Sequence, residues 1–585
     1  MIEARFDDLS GAGTSFRLVG PVGLVEARRP EEVAEVLAAA ESSARRGLWV
    51  GGFVAYEAAA GLEPTLAVRA RAPDDPFAEL PLAWFAFFEG REHTTLSEPR
   101  DSGDSAADTW RPSVDRGRYD AAIAAIRERI AAGDTYQVNY TLRLRSTVAG
   151  DERGLYRDMC FAQRGAHAAY LNAGRFRICS ASPELFFELH EGRLRTRPMK
   201  GTAPRGRWPS EDEQIAQRLT ASAKDRAENA MIVDLLRNDL GRVSRPGSVS
   251  WSEVAAERYE TVWQLTSTVT SQIEPGAGLR EVFAALFPSG SVTGAPKVRS
   301  MEIIAALEDS PRGVYCGAVG VLSPPGQGPD ATFNVAIRTV TVDSQSGVAE
   351  YGVGGGITWD SRAGDEYEET VAKARILTAR RPGFELLETL LHEPGSGLRH
   401  LDLHLVRLRS SAAYFGFACD ETAVIAALWR AAASVPDAPA RVRLLLDRAG
   451  KITTGAVPLP SRDEPVVLEV DDVPVDPSDV LLFHKTSRRG RYEEARARHP
   501  DADDVLLINT RGEVTESTIA NLAVLLDGRW VTPPLDAGLL PGTERAALLA
   551  EGALEEAGIR PQELRRAEEL RLMSATGPWR PAFLG

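Results

Sequence analysis

Apolar and polar positions divide the chain into stretches with different patterns. Residues 97–117 are rich in Ser, Asp, Gly and Pro without periodicity, which predicts a linker. Residues 118–134 then place apolar side chains at helical spacing and end at Gly133, which predicts a helix with a glycine stop. A later helical pattern runs into "RRPG", after which "ARVRLLLDR", "VVLEV" and "VLLIN" predict a new series of strands. We therefore place the main boundary at 379–383 and divide the chain into segments 1–110, 115–379 and 383–585.

Composition narrows the class of protein. The 585 residues exceed what one core organises, and 43% hydrophobic with 26% charged residues is typical of globular proteins. A formal net charge of -15 argues against nucleic acid or an anionic membrane as the main partner. No apolar run approaches the ~18 residues of a membrane span. The four cysteines form no CxxC pair and the N-terminus carries no apolar signal segment. We expect a cytoplasmic protein.

The stretch "DSRAGDEYEETVAKA" (360–374) carries a stripe of charged residues. If it is helical, Glu366, Glu369, Thr370 and Lys373 share one face because they stand at i, i+3, i+4 and i+7. Two carboxylates beside an ammonium suit a site where a hard cation meets an anionic ligand, and Mg²⁺ needs only one or two carboxylates. Taken alone, the stripe is more typical of a solvated face with a Glu–Lys pair.

A second helical run, at 225–243, contains Glu228 near its start and further charged residues among apolar ones. Charged groups within such a run need partners if they are buried. An ion-pair network explains Asp234, Arg237 and Asp239 at least as well as chemistry does. Only Glu228 is therefore kept as a metal candidate.

Two stretches are rich in glycine. "YGVGGGITWD" (351–360) lacks the glycine spacing and the later acidic residue of a dinucleotide-binding fingerprint, so we reject that interpretation. Its glycines, Gly354 and Gly355 among them, instead predict close approach of the backbone to a ligand or a neighbouring strand. "FPSGSVTGAPK" (287–297) offers hydroxyls and backbone N–H groups to an anion. The residues concerned are Gly290, Ser291, Thr293 and Gly294.

Eight blocks occur in series over about 250 residues, counting from the first block to the last. They are "GDTYQVNYT", "SPELFF", "RPMKGTAPRG", "AENAMIVDLLRNDLGRV", "FPSGSVTGAPKVRSMEII", "RGVYCGAVG", "FNVAIRT" and "GGGITWDSRAGDEYEETVAKA". Together they resemble the chorismate-utilising enzymes, a group that includes anthranilate, isochorismate, salicylate and aminodeoxychorismate synthases. The resemblance implies an α+β fold in which packed antiparallel sheets are flanked by helices.

The resemblance also implies roles for individual residues. Glu228 and Glu369 would hold Mg²⁺, with Glu366 close by, and the metal would neutralise the ring carboxylate of chorismate. Glu184 resembles the general acid that protonates the departing C4 hydroxyl. The implied substrate contacts are Gln137, Ser291, Thr293, Gly294, Tyr315, Arg338, Gly354, Gly355 and Lys373.

Two positions indicate the branch of the family. Enzymes that add water to chorismate carry a lysine base where this chain has Gln137, and a neutral amide cannot deprotonate water at useful pH. Lys200 makes the motif "PMKGT", which resembles the aminodeoxychorismate synthases. In that branch the lysine attacks C2 of chorismate, and ammonia then adds at C4 and expels it. Without the other blocks, the segment 197–206 predicts a surface loop, and a nucleophilic lysine needs a lowered pKa.

The source of ammonia is a separate question. No cysteine stands in the setting of a glutamine amidotransferase nucleophile. We expect a separate glutamine amidotransferase subunit or use of free ammonia.

The second half carries a different series: "FELLETLL", "HLDLHLVRLRSSAAYFGF", "FHKTSRRGRYEEA", "LLINTRGEVTESTIANLAVL" and "LLPGTERAALL". His400 and His404 stand at i, i+4, but no third metal ligand follows, so we predict histidines on a helix surface. The series resembles the fold-type-IV pyridoxal-phosphate enzymes, with "FHKT" closest to the aminodeoxychorismate lyases. An α/β fold of two subdomains is implied.

This resemblance implies a pyridoxal 5′-phosphate site. Lys485 would form the Schiff base and Glu516 would face the pyridine nitrogen, keeping the ring an electron sink. Arg407 would bind the cofactor phosphate, with Gly542 and Thr543 adding backbone donors at a helix N-terminus. Because members of this family are commonly dimeric, a homodimer through the second half is also implied.

The two resemblances together predict consecutive reactions that make 4-aminobenzoate, a folate precursor, from chorismate. Three alternatives stay open. The first half is also compatible with an anthranilate synthase and the second with a branched-chain or D-amino-acid transaminase. The third alternative is a scaffold or regulatory protein with a degenerate second half.

Overall fold

A computed structural model describes residues 2–10, 13–97, 109–148, 150–259, 262–378, 383–459, 464–577 and 579–585. The chain forms two compact units. The first unit comprises Met1–Pro204 and Ala216–Gly383, and the second comprises Arg205–Ile215 and Phe384–Gly585. Most of the predicted linker and residues 379–382 of the predicted boundary lie outside the described residues.

Strands dominate the part of the chain before residue 379. They are β1 (Glu3–Asp7), β2 (Phe16–Ala27), β3 (Trp49–Val54), β4 (Ala83–His93), β5 (Arg111–Pro112), β6 (Gln137–Thr147), β7 (His167–Ala173), β8 (Phe176–Ser182), β9 (Leu185–His190), β10 (Arg193–Arg197), β11 (Met199–Pro204), β12 (Ser250–Trp251), β13 (Ala255–Arg258), β14 (Val262–Thr266), β15 (Val269–Gln272), β16 (Gly294–Ala295), β17 (Ala318–Leu322), β18 (Ala331–Val335), β19 (Thr339–Asp343) and β20 (Val348–Ile357). The helices are α1 (Val33–Arg45), α2 (Ala59–Leu62), α3 (Arg116–Ala131), α4 (Glu152–Gln163), α5 (Pro209–Ala221), α6 (Ala223–Gly241), α7 (Leu279–Leu286), α8 (Lys297–Leu307) and α9 (Ala363–Ala374).

Helix α3 shows how local sequence sets these elements. Its N-cap Asp115 accepts a hydrogen bond from the backbone N–H of Arg118 at 2.8 Å, which satisfies one of the unpaired donors of the first turn. Tyr119 and Ile126 are buried on the inner face. The helix ends at Ala131 and Gly133 follows with φ +77°, a conformation that favours glycine, so the predicted stop is confirmed.

Two sheets organise the first unit, one of 17 strands and one in the order β11-β14-β13, counted over the described residues. The strands β6 and β20 pair antiparallel from Val348 opposite Thr147 to Ile357 opposite Val138. Strand β16 pairs with the start of β6, where Ala295 lies opposite Gln137. Both glycine-rich stretches therefore meet at Gln137.

The segment around Lys200 differs from its prediction. The sequence predicts a loop at 197–206, whereas Lys200 lies in strand β11, which pairs with β14. The register shifts between Met199 and Thr202, and Gly201 takes φ +84°. The Pro and Gly residues thus mark a bulged strand, because a bulge needs the same backbone freedom as a turn.

The charged residues of the predicted run 225–243 lie on α6 and are paired, as expected. Arg237 donates to Asp234 at 2.6 Å on the surface. Asp239 is buried and accepts from Lys297 Nζ at 2.9 Å. These contacts confirm a structural role for the three acidic and basic groups of that run.

The second unit contains β21 (Leu386–Glu393), β22 (Gly397–Leu398), β23 (Ala440–Leu446), β24 (Ile452–Pro458), β25 (Val466–Val470), β26 (Asp504–Ile508), β27 (Val514–Ser517), β28 (Asn521–Leu526), β29 (Arg529–Thr532), β30 (Glu555–Glu556), β31 (Glu569–Met573) and β32 (Arg580–Leu584). Its further helices are α10 (Leu401–Phe415), α11 (Glu421–Ala432), α12 (Gly490–Arg498), α13 (Thr543–Ala550) and α14 (Pro561–Leu564).

Two sheets with separate cores divide this unit. The order β22-β21-β23-β24 is antiparallel and packs against α10 and α11. The order β27-β26-β25-β32-β31-β28-β29-β30 is mixed, since β25 runs parallel to both of its neighbours. The prediction of an α/β fold with two subdomains is confirmed. Within the described residues, every helix is too short or too polar to cross a membrane.

Candidate active sites

Lys200 is half-buried on β11 and its ammonium lies against strand β20. A Cβ added at Gly356 would stand 3.0 Å from Lys200 Nζ. Burial lowers the pKa of Lys200, and the neighbouring Lys373 lowers it further. The nearby carboxylates Glu228 and Glu184 oppose this shift. Because burial disfavours the charged form, these surroundings favour the neutral, nucleophilic amine.

Glu184 occupies the turn between β8 and β9 and is buried. Burial raises its pKa to about 7, although a hydrogen bond with Ser291 and the charge of Lys200 act against the shift. A carboxyl group with this pKa is about half protonated at neutral pH, so a substantial fraction can act as a general acid. Both neighbours are residues that the sequence assigns to the same site.

Helix α9 carries the predicted charged stripe. Lys373 Nζ lies 2.6 Å from Glu369 Oε1 and donates to the carbonyl oxygen of Gly354 at 2.9 Å. A Cβ on Gly355 would stand 3.3 Å from Glu366 Oε2, 3.7 Å from Lys373 Nζ and 4.0 Å from Glu369 Oε1. The stripe therefore faces β20, and the absence of side chains at these glycines leaves room above it.

The acidic residues of this site form an oxygen donor set. Burial raises the pKa of Glu228, which also interacts with Glu369, and burial raises the pKa of Glu366. For Glu369, burial acts upward too, but Lys373 outweighs it and the pKa is lowered. Bringing these carboxylates together costs free energy that a divalent cation would offset. Oxygen ligands of this kind fit Mg²⁺.

The side-chain amide of Gln137 borders Lys200. A Cβ on Gly356 would stand 2.1 Å from Gln137 Nε2, and one on Gly294 would stand 2.1 Å from the Gln137 carbonyl oxygen. Gln137 Oε1 is buried and has no hydrogen-bond partner among the described residues. An orphaned acceptor at this point is suited to a ligand that carries N–H or O–H groups.

Of the remaining predicted substrate contacts, Arg338 and Tyr315 contact α9 and β20, whereas Thr293 bonds within its own loop. Arg338 donates to the carbonyl oxygen of Lys373 and so reaches the end of α9. Tyr315 is buried and packs on β20, where a Cβ on Gly352 would meet its ring at 2.0 Å. The Thr293 hydroxyl donates to the Ser289 carbonyl oxygen at 3.1 Å, so Thr293 serves the loop backbone in this structure.

In the second unit, Lys485 is half-buried, Glu516 is buried, and the two interact electrostatically. Burial lowers the pKa of Lys485 to about 8, with Arg407 acting in the same direction. Burial raises the pKa of Glu516 to about 7, while Tyr492 opposes the shift. Glu516 accepts hydrogen bonds from Tyr492 Oη at 2.9 Å, Asn521 Nδ2 at 3.2 Å and the Leu540 N–H at 3.2 Å. These donors hold the carboxyl group in place.

The start of α13 forms the other end of this site. Gly542 is its N-cap and Thr543 its first residue, and Arg407 donates to the Pro541 carbonyl oxygen at 3.0 Å. A Cβ on Gly542 would stand 2.0 Å from Asn521 Oδ1, so this corner accepts no side chain. A half-buried lysine, a buried carboxyl group and a helix N-terminus beside an arginine fit a pyridoxal phosphate, because they match its aldehyde, its pyridine nitrogen and its phosphate.

The prediction for His404 is wrong. Its side chain is 1% exposed, and Nδ1 lies 2.6 Å from Glu388 Oε2. Helical periodicity places His404 on the inner face of α10 with Leu408, so spacing from His400 was the wrong criterion. Sequence reasoning also missed Glu388, whose signal was a charge in the middle of the apolar stretch "FELLETLL".

Both halves of the chain match models of known protein families. Residues 11–379 match the family model of chorismate binding enzymes, and residues 385–582 match that of class IV amino-transferases. Since the first match covers more than half of the chain, the protein belongs to the chorismate binding enzyme family.

Individual relatives agree with this assignment. An aminodeoxychorismate synthase component 1 from Klebsiella aerogenes is 42% identical over 270 residues, which cover 46% of this chain and 59% of the relative. An anthranilate synthase component 1 from Aquifex aeolicus is 38% identical over 269 residues, covering 46% of this chain and 53% of the relative. The chain thus spans less than two thirds of the length of these relatives.

A solved structure, anthranilate synthase component I from Streptococcus pneumoniae, matches with TM-score 0.55 and 24% identity. The match covers 63% of this chain and 93% of that one. It confirms the predicted α+β fold of the first unit.

Proposed function

We propose that the chain carries two consecutive activities. The first unit converts chorismate and ammonia to 4-amino-4-deoxychorismate, and the second converts this product to 4-aminobenzoate, a folate precursor, and pyruvate. The observation that carries the proposal is a half-buried lysine beside carboxyl groups in each unit, Lys200 and Lys485, whose surroundings lower its pKa. The names of the relatives support the first activity, and the class IV family match supports the second.

In the first unit, Glu228, Glu366 and Glu369 would hold Mg²⁺, which when bound neutralises the carboxylate of chorismate. The neutral amine of Lys200 attacks C2 of the ring. The ring double bonds shift, and the C4 hydroxyl leaves as water with the proton of Glu184. Ammonia then forms a bond at C4, the bond between C2 and the lysine nitrogen breaks, and Lys200 leaves as an amine.

The choice of ammonia over water follows from Gln137. A neutral amide takes no proton from water, so the site has no base that would generate hydroxide at this position. The orphaned Gln137 Oε1 accepts an N–H from ammonia without needing to deprotonate it. Gln137 thus orients a nucleophile that is already strong enough to react.

Ammonia is supplied by a separate glutamine amidotransferase subunit in this proposal. A glutaminase of that class needs an activated cysteine thiolate. All four cysteines of the chain are described, and burial raises the pKa of each: Cys160, Cys179, Cys316 and Cys419. None of these thiols has the environment of a nucleophile.

In the second unit, Lys485, Glu516, Arg407, Gly542 and Thr543 would hold pyridoxal 5′-phosphate. When bound, this cofactor supplies an electron sink for the electrons that remain when a C–H bond is broken. Lys485 takes the proton from C4 of the substrate as a neutral amine, which its pKa of about 8 permits. Loss of the enolpyruvyl side chain then makes the ring aromatic and releases pyruvate.

One relative favours a second candidate for the first unit. The Aquifex aeolicus protein is an anthranilate synthase component, so formation of anthranilate from the same substrates is the competing activity. The two products differ in the position of the amino group, C2 against C4. If ammonia bonded to C2 and stayed there, as in anthranilate, Lys200 could not form its covalent bond to that carbon.

The full chain incubated with chorismate, ammonium chloride and Mg²⁺ distinguishes these candidates. We expect 4-amino-4-deoxychorismate when pyridoxal phosphate is absent, and 4-aminobenzoate with pyruvate when it is added. Anthranilate as the main product would refute the proposal for the first unit. A keto acid formed from an amino acid, without any 4-aminobenzoate, would refute the proposal for the second.

A further inference from the structure

Three side chains of the second unit form a hydrogen-bonded line, the Glu388–His404–Thr543 line. Glu388 lies on β21, His404 on α10 and Thr543 at the first position of α13. His404 Nδ1 is 2.6 Å from Glu388 Oε2, and His404 Nε2 is 3.2 Å from Thr543 Oγ1. All three residues are buried. The line therefore connects a carboxylate to the hydroxyl at the start of a helix.

The protonation of this line follows from Glu388. Burial alone would raise the pKa of Glu388, but Arg407 and His404 outweigh it and hold the pKa at about 2, so this carboxyl group is ionised. Its oxygens accept from Arg407 Nε at 2.9 Å and Nη2 at 2.6 Å. An ionised carboxylate only accepts, so His404 Nδ1 must donate to it. Burial lowers the pKa of His404, and a neutral ring then has an acceptor at Nε2.

A neutral His404 fixes the direction of the Thr543 hydroxyl. Because Nε2 can only accept, the hydroxyl must donate its single hydrogen to His404. An anion at the N-terminus of α13 requires that same hydrogen. With His404 neutral, Thr543 Oγ1 would present lone pairs to the anion, which is repulsive.

We propose that His404 is a positioning residue that takes up a proton from solvent when the cofactor phosphate binds. The proton goes to Nε2, which becomes a donor to Thr543 Oγ1, and the Thr543 hydroxyl turns to donate to the phosphate. The inference rests on the proposed function of the second unit, because it assumes that pyridoxal phosphate occupies this site.

The charges around His404 favour the uptake of a proton when the phosphate binds. The charges of Arg407 and Glu388, which form an ion pair, largely offset each other, and Lys485 lowers the pKa of His404. Glu544, the neighbour of Thr543, forms an ion pair with Arg399, whose Nη2 lies 2.9 Å from Glu544 Oε1. Glu544 Oε2 lies 3.1 Å from His400 Nε2. A phosphate dianion adds two negative charges to this set, which raises the affinity of His404 for a proton.

Calorimetry of the full chain, freed of cofactor, tests the proposal. The ligand is pyridoxine 5′-phosphate, whose alcohol forms no bond to Lys485, and the pH is 7.5, above the phosphate pKa of about 6. Binding enthalpies in two buffers of different ionisation enthalpy give the number of protons taken up. We expect wild type to take up roughly half a proton or more in excess of His404→Gln, in which an amide replaces the titrating ring.

Two substitutions of Thr543 provide a second measurement of proton uptake that does not depend on whether the histidine variant folds. Thr543→Ser keeps the hydroxyl and should keep the proton uptake, whereas Thr543→Val should lose it. Equal uptake by wild type, His404→Gln and Thr543→Val, with measurable binding, would overturn the inference alone. Failure of wild type to bind pyridoxine 5′-phosphate would overturn both the inference and the proposed cofactor site.

Discussion

The surroundings of Lys200 and Lys485 differ although burial lowers the pKa of both. Lys200 lies on a bulged strand among three carboxylates and a second lysine, Lys373. Lys485 interacts with two carboxyl groups: Glu516, which three donors hold, and Glu388, which is paired with Arg407. The acidic groups near Lys200 would be stabilised by a bound metal ion. In the second site the charges of Arg407 and Glu388 offset each other, and the N-terminus of α13 would favour a bound anion.

The difference teaches how one chain obtains two reactive amines. The sequence has 68 basic Lys and Arg residues, of which six are lysines: Lys200, Lys224, Lys297, Lys373, Lys451 and Lys485. Two of these are the reactive candidates, Lys373 lies beside Glu369, and Lys297 is buried against Asp239. Arginine does not lose its proton in proteins and so supplies permanent charge, whereas the neutral form of a lysine becomes accessible when its surroundings disfavour the charge.

Removal of either lysine gives the largest expected effect. We expect Lys200→Ala to lower formation of aminodeoxychorismate by at least about a thousandfold, because the covalent step is lost. The second activity, assayed with added aminodeoxychorismate, should be unchanged. Lys485→Ala should do the reverse and accumulate the intermediate. Loss of both activities in either variant would show that the two sites are not separate.

Metal removal should affect only one of the two regions. Chelation with EDTA is expected to stop the first activity and leave the second intact, because the proposed Mg²⁺ ligands Glu228, Glu366 and Glu369 all belong to the first unit. Glu228→Gln should raise the Mg²⁺ concentration needed for half-maximal rate by roughly ten- to a hundredfold. The surface variant Asp234→Asn, on the same helix, is the control. An equal shift in the control variant would contradict the assignment of Glu228.

A side chain at Gly356 should disturb only the first site. In Gly356→Ala the new Cβ would stand 2.1 Å from Gln137 Nε2, so the amide must move, and we expect a loss of about tenfold or more in the first activity. Gly364→Ala is the matched control, because its Cβ would meet nothing closer than 3.8 Å. Similar rates for the two variants, at unchanged thermal stability, would argue against a role for Gln137.

The two activities should respond oppositely to pH between 7 and 8. Glu184 must be protonated to act as an acid. The first rate, taken relative to that of Glu184→Gln so that the titrations of Lys200 and ammonia cancel, should therefore fall several-fold as pH rises through the Glu184 pKa of about 7. Lys485 must be neutral to act as a base, so the second rate should rise several-fold toward its pKa of about 8. Parallel profiles from separate assays of the two steps would contradict these roles.

Much of the first site could be predicted because its residues stand in local patterns. Helical spacing predicts that Glu366 and Lys373 share one face of α9. The glycines at and beside Gly356 predict close approach of the backbone to a ligand or a neighbouring strand. The bulge at Lys200 could not be predicted, because a strand with Pro and Gly has the composition of a loop. Its partner strand β14 is about 60 residues away.

The second site was predicted less completely for a physical reason. The Glu388–His404–Thr543 line joins three elements, and no local spacing reveals such contacts. His404 was assigned to a surface because only a metal was considered for it. A buried carboxylate in the strand "FELLETLL" requires a donor, and that requirement would have pointed to His404 or Arg407.

One measurement tests the central claim most directly. Lys200→Ala and Lys485→Ala are assayed separately and as an equimolar mixture, with chorismate, ammonium, Mg²⁺ and pyridoxal phosphate, and the products are separated by chromatography. We predict that neither variant alone forms 4-aminobenzoate and that the mixture does, because each variant supplies the step that the other lacks. Formation of 4-aminobenzoate by either variant alone, or anthranilate as the main product of the mixture, would contradict the account.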